Sequence, residues 1–244
     1  MKTALGACIL LLALSCSEIK KKEDHQIIEV DNASIPPTID GIGSENNWNK
    51  ASWHALDQNW LGDPYDYDDF NGRYKLLWDE NALYILLEVK DDVLYDQNKN
   101  PVKLWWNDDG VKIYIDEDNS GGLHQYNHNA FAYHIALDGN VVDMDSNKQP
   151  ELFNDHILSK RTSDSGVTIW EFMVKVFNKN YSREAQNTQV RLSAEKKIGF
   201  ALAYCDNDGS TERENLIGSV FVPGEDKNQG WINADIFGTL ILKE

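Results

Sequence analysis

The chain has 244 residues, with 23 basic and 40 acidic side chains and a net charge of −17. A surface of that sign excludes nucleic acid, whose phosphates need a basic face. It leaves neutral glycans and cations as admissible ligands. The three cysteines, Cys8, Cys16 and Cys205, are too few for a disulfide framework, so the fold must rest on a sizeable core.

The N-terminus has the pattern of an export signal. Lys2 supplies the positive start, and residues 4–14 form an apolar run too short to span a bilayer. The run ends in Leu12-Ala13-Leu14-Ser15-Cys16, which resembles a bacterial lipobox. The resemblance implies cleavage before Cys16 and acylation of its thiol; an ordinary secretory signal is the alternative. An acylated Cys16 would hold the protein on the cell envelope, on the periplasmic or surface face of the outer membrane, without a transmembrane helix. The expected organisation is a signal over 1–15, the lipidated Cys16 and a charged tether over 16–26, and one domain over 27–244. Loss of residues 1–15 removes one charged side chain, Lys2, and leaves 22 basic and 40 acidic residues, net −18. Cys205 then stands alone, as a small buried apolar residue.

Within the domain, Ser44 is a candidate cap for one short helix over 45–51 that would turn Trp48 and Ala51 toward the core. Residues 60–72, rich in Asp and Tyr, read as a solvent-facing loop. Apolar runs at 73–79 and 82–89 flank Asp79-Glu80-Asn81, a hairpin signal. Residues 111–116 alternate as a half-buried strand, and 131–137 and 169–176 also alternate. Strands at 198–205, 216–222 and 237–242 complete the set. Many short strands with Gly, Asn and Asp turns predict an all-β antiparallel sandwich. Ala132, His134 and Ala136 share one strand face, and Gly199, Ala201, Ala203 and Cys205 share another. If the two faces lie together, they leave either a shallow ligand groove or a seat for a packed loop.

The chemistry concentrates in Trp105-Trp106-Asn107-Asp108-Asp109-Gly110. Two indoles on a polar turn are costly to leave in water and suit a partner. A flat aromatic face beside amides and carboxylates matches a sugar, which has apolar C–H faces and a hydroxyl edge. The plainer reading has one indole capping the core. Asp206-Asn207-Asp208-Gly209 and Asp116-Glu117-Asp118-Asn119 offer hard oxygen ligands for calcium, through Asp206 and Asp208 in the first case. Neither completes an EF-hand loop, and both also suit plain turns. His124, His128 and His134 are more consistent with hydrogen bonds, to backbone or to sugar hydroxyls, than with a zinc site; His128 and Asn129 are the candidates. Asp108, Asp109, Glu171 and Asp208 are carboxylates of the kind glycoside hydrolysis uses in pairs, but in so acidic a chain a pair carries no information. There is no nucleophile elbow, phosphate loop or metalloprotease motif.

Ordered pieces over nearly the whole body carry a family resemblance. They are Ile39-Asp40-Gly41 with Trp48-Asn49-Lys50-Ala51, Ala82-Leu83-Tyr84-Ile85 running to Val89-Lys90-Asp91-Asp92, and Asn107-Asp108-Asp109-Gly110 running into 111–116. Trp170-Glu171-Phe172, Ile198-Gly199-Phe200 with Asp206-Asn207-Asp208-Gly209, and Phe237-Gly238-Thr239-Leu240 follow. Together they resemble family 9 carbohydrate-binding modules and the family 9-like lipoproteins of Bacteroidetes-type bacteria. The resemblance implies a glycan-binding β-sandwich, often with structural calcium and often beside glycoside hydrolase domains. It matches the first of two sugar-holding tryptophans to Trp106. The family's glutamate in the following strand is Lys112 here, a donor in place of an acceptor. The stretch 214–220, where the second tryptophan is expected, contains none; Trp231 in the next loop is a substitute.

The expectation is therefore a non-enzymatic, lipid-anchored protein that binds an oligo- or polysaccharide and presents it to glycoside hydrolases. Trp106 would stack on the sugar with Trp105 in support. Asp109, Lys112, His128, Asn129, Glu171 and Asn207 would bond its hydroxyls. The competing readings are a hydrolase in its own right, a scaffold of an envelope complex, and haem carriage through Met144 or Met173, for which no partner is evident.

Overall fold

The computed structural model describes residues 26–244; the signal, Cys16 and most of the tether lie outside them. Two sheets face one another. The larger has nine strands. Its main path runs β1 (Ile27–Val30), β14 (Gly238–Leu242), β12 (Lys197–Asp206), β6 (Gly110–Asp116), β7 (Phe131–Ala136), β8 (Val141–Met144) and β9 (Pro150–Leu152). Off that path, β13 (Asn215–Gly218) pairs with β12 and with β3 (Gln58–Leu61). The second sheet orders β10 (Ile157–Asp164), β11 (Val167–Val174), β5 (Leu83–Asp91), β4 (Phe70–Trp78) and β2 (His54–Leu56). The sandwich is antiparallel as expected, except that β1 runs parallel to β14.

The period-2 pattern decides the layers. Val111, Ile113 and Ile115 of β6 and Phe200, Leu202 and Tyr204 of β12 enter one core with Ile85 and Leu87 of β5 and Trp170 and Phe172 of β11. The expected hairpin joins β4 to β5: Asp79 N donates to Ala82 O, and the Asp79 carboxylate accepts from Asn81 N and Ala82 N.

Three local expectations are corrected. The helix is a single 3₁₀ turn, Asn46–Asn49, preceded by an extended Glu45 with no side-chain cap, so Ser44 does not cap it. A run of Asn is a poor helix former. The Trp48 indole is drawn inward instead, donating to Glu171 Oε1 at 3.0 Å. Residues 60–72 are not all loop: Trp60 on β3 and Phe70 on β4 are both buried. Strand β6 is buried on both faces.

The reason for the last point is a second apolar layer. Ala201, Ala203 and Cys205 of β12 and Ala132 of β7 do lie on one side of one sheet, with Tyr114 and Lys112 of β6 between them. Trp60, Val220, Val222 and Phe237 pack onto these small side chains. The segment 219–237 therefore covers most of the face. The end nearest β8 stays open.

Candidate functional site

At that open end lies a cavity of about 650 Å³. Lys112 and Ala132 form its floor. Trp105 and Trp106 come from one side, Trp231 and Asn228 from another, and Asp143 and Met144 of β8 border it with Arg213. Trp106 is 38% exposed and Trp231 37%. Two indoles from loops far apart in sequence thus present apolar surface to one space.

The polar residues of the tryptophan motif act as its anchors. Asp108 accepts from Asn98 N at 2.7 Å and Asn98 Nδ2 at 2.9 Å. Asp109 accepts from Tyr95 N at 2.6 Å and Asn207 N at 2.9 Å. Asn207 Nδ2 donates to Asn107 O at 2.6 Å and Ser210 O at 3.0 Å, while its Oδ1 accepts from Gly209 N and Ser210 N. Leu104 takes φ +54°, a strained value for a side chain with Cβ, in the turn closed by Asn107 N and Leu104 O. These bonds leave the two indoles edge to face, centroids 4.8 Å apart and planes at 78°. Across the cavity, His124 N donates to Ile232 O and its ring bonds Gly230 O at 2.9 Å. A Cβ on Gly230 would lie 2.9 Å from the Tyr114 ring, so only glycine lets the backbone settle there and position Trp231.

Of the eight expected sugar contacts, Trp105, Trp106 and Lys112 line the cavity. The other five are assigned different work. Asp109 and Asn207 are fully buried anchors of the loop, as above. Glu171 is fully buried on the second sheet, where it accepts from Asp40 N, Gly41 N and the Trp48 indole. His128 bonds Tyr181 O at 3.0 Å and stacks on Phe131. Asn129 donates to Gly121 O at 2.7 Å. The last two thus follow the backbone alternative. Sequence reasoning missed Lys103, Asp143, Asn228 and Arg213; none of them stands in a recognisable motif.

Beneath the tryptophan loop, carboxylates gather. Oxygens of Asp91, Asp206 and Asp208 lie within 4.8 Å of one another, as do those of Asp69, Asp92 and Asp208. Burial, then mutual repulsion, pushes Asp206 up to about 8 and Asp109 up to about 9. Two buried acids, Asp91 and Asp206, crowded with the exposed Asp208 and paired with no cationic side chain among the described residues, fit a hard divalent cation. In contrast, the run from Asp116 folds onto itself: Asp116 accepts from Gly121 N, Asp118 accepts from Ser120 N, and Glu117 pairs with Lys196. Asp40, Glu45 and Glu171 form a third carboxylate group, but Glu171 already holds three donors.

Comparison with known proteins agrees with this architecture. The family described as carbohydrate family 9 binding domain-like matches residues 39–244. Endo-1,4-beta-xylanase C of Paenibacillus barcinonensis is 27% identical over 206 residues, which is 84% of this chain and 16% of the xylanase. Endo-1,4-beta-xylanase A of Thermotoga maritima is 51% identical over 47 residues, 19% of this chain and 4% of that enzyme. The chain thus spans a small part of these relatives. A family 9 carbohydrate-binding module from Caldicellulosiruptor kristjanssonii, solved with glucose, superposes with a TM-score of 0.66 at 22% identity, covering 89% of this chain and 96% of the module. The same module solved with cellotriose gives 0.65 at 22% identity, covering 89% and 94%. The chain belongs to the carbohydrate family 9 binding domain-like family.

Proposed function

We propose that the cavity is a saccharide-binding site and that the protein is a non-catalytic carbohydrate-binding lipoprotein of the cell envelope. The observation that carries this reading is the approach of Trp106 and Trp231 to one open cavity with Lys112 at its floor. Half-exposed indoles offer a sugar ring its apolar contact, and the floor and rim offer hydrogen bonds. Glucose and cellotriose, bound by the solved relative, indicate the ligand class. Asp143 is the one carboxylate among the residues lining the cavity, whereas glycoside hydrolysis uses a pair, which favours binding over catalysis. The lipobox-like stretch ending at Cys16 supports membrane anchoring. Similarity to segments of two xylanases supports a role in presenting glycans to hydrolases.

Asp91, Asp206 and Asp208 would hold calcium. The cation would neutralise these acids and join the end of β5 to the end of β12. Asp109, bonded to Asn207 N beside Asp206, carries that rigidity to the tryptophan loop.

A glycan array probed with the protein, in calcium and again in chelator, tests both parts. The expected result is binding to a defined set of saccharides that weakens in chelator. A folded protein that binds no saccharide in either buffer would contradict the reading and move the scaffold alternative ahead. Binding indifferent to chelator would remove calcium from it.

A further inference from the structure

The charge of the cavity runs against that of the chain. Lys103, Lys112 and Arg213 line it, against the single acid Asp143, in a protein of net −17. Lys112 is 8% exposed, and its Nζ makes no hydrogen bond or ion pair among the described residues. Its ammonium opens on the cavity, where an anionic group of a ligand would supply the counter-charge that the protein does not place on it.

Arg213 strengthens the positive field. The Nε of Arg213 is buried without a partner, and its Nη1 has only long contacts, 3.5 Å to Trp106 O and 3.5 Å to Cys205 Sγ. His134, paired with Lys112 in the β6–β7 register, is fully buried with both ring nitrogens unpartnered among the described residues; burial pushes its pKa well below the usual imidazole value, so it is neutral and supplies no counter-charge. Asp143, whose charge attracts Lys112, compensates for Lys112 and Arg213 only in part. Its oxygens accept from Ala132 N at 2.8 Å and Met144 N at 2.7 Å, and it forms no ion pair within 4.0 Å among the described residues.

We infer that the site selects an anionic sugar, with the sugar's negative group on Lys112 and Arg213 and its ring against Trp106. The inference rests on the reading of the cavity as a saccharide site. A guanidinium and an ammonium lining one cavity suit a planar carboxylate or a sulfate ester better than a hydroxyl. A hexuronic acid and a sulfated hexose are the two sources of that group.

Titration calorimetry on the protein with glucuronate against glucose, galacturonate against galactose, and glucose 6-sulfate against glucose tests it. The expected result is affinity for at least one anionic sugar about tenfold or more above its neutral counterpart. That ratio should fall toward one in Lys112→Gln, and in the parent protein as salt is raised. The carboxylate and sulfate arms tell the two sources apart. Equal or stronger binding of the neutral sugars by the parent protein overturns the inference and leaves the saccharide site intact. Failure of every sugar overturns both. The parent measurement decides even if Lys112→Gln does not fold.

Discussion

Replacing Trp106 by alanine is expected to weaken saccharide binding by about 30-fold without unfolding the protein. The side chain is 38% exposed and its indole fills no core position, so little packing is lost. The loss in binding follows from the apolar face that a sugar would cover. Removing such aromatic contact costs about 2 kcal/mol. The loop itself should survive, because it is held by Asp108, Asp109 and Asn207 and not by the indole. Titration calorimetry against the best array ligand, with circular dichroism for folding, checks this. Unchanged affinity in a folded Trp106→Ala protein would place the ligand elsewhere. Trp105→Ala should have a smaller effect, since Trp105 meets Trp106 edge to face and serves as its support.

The second large effect is on stability. Glu171→Ala should lower it by about 4 kcal/mol, roughly 10 °C in the unfolding midpoint of a domain of this size. The carboxylate accepts from Asp40 N at 3.1 Å, Gly41 N at 2.8 Å and Trp48 Nε1 at 3.0 Å, and it is fully buried. Alanine leaves three donors without a partner and frees the segment that carries Trp48. Glutamine, isosteric but with one acceptor oxygen, should fall between. Saccharide affinity of the folded protein should not change, because Glu171 belongs to the opposite sheet from the cavity. Thermal unfolding of the three proteins is the check. A stable Glu171→Ala protein that has lost binding would restore Glu171 to the site and contradict the structure.

The contrast between these residues shows what the sequence could convey. Alternation located β6, β7 and β11, and apolar runs about a hairpin signal located β4 and β5, because each has a face in the common core. It did not reveal β10, whose residues from Leu158 to Asp164 are mostly polar and which pairs only with β11 at the sheet edge. Nor could it show that 219–237 lies over the small residues of β7 and β12; that depends on Trp60, brought in by β3, and on the close approach of Gly230 to Tyr114.

The same limit applied at the site. Trp105 and Trp106 were legible because two indoles on a polar turn leave a local signature, and Lys112 because it stands where the family resemblance places a glutamate. Asp109, Glu171 and Asn207 carry the chemistry of a sugar contact, but that chemistry serves equally well to hold backbone N–H groups. Only their burial tells the two roles apart. Arg213, Asp143 and Asn228 reach the cavity from three separate segments, so no local pattern joined them.

The most direct test is a crystal structure of the protein with the saccharide that binds best on the array. The sugar ring is expected against the Trp106 indole, within the cavity that Trp231 also lines and with a polar group toward Lys112. A saccharide bound on the outer face of the second sheet, beside Trp48 and Glu171, with this cavity empty, would contradict the account.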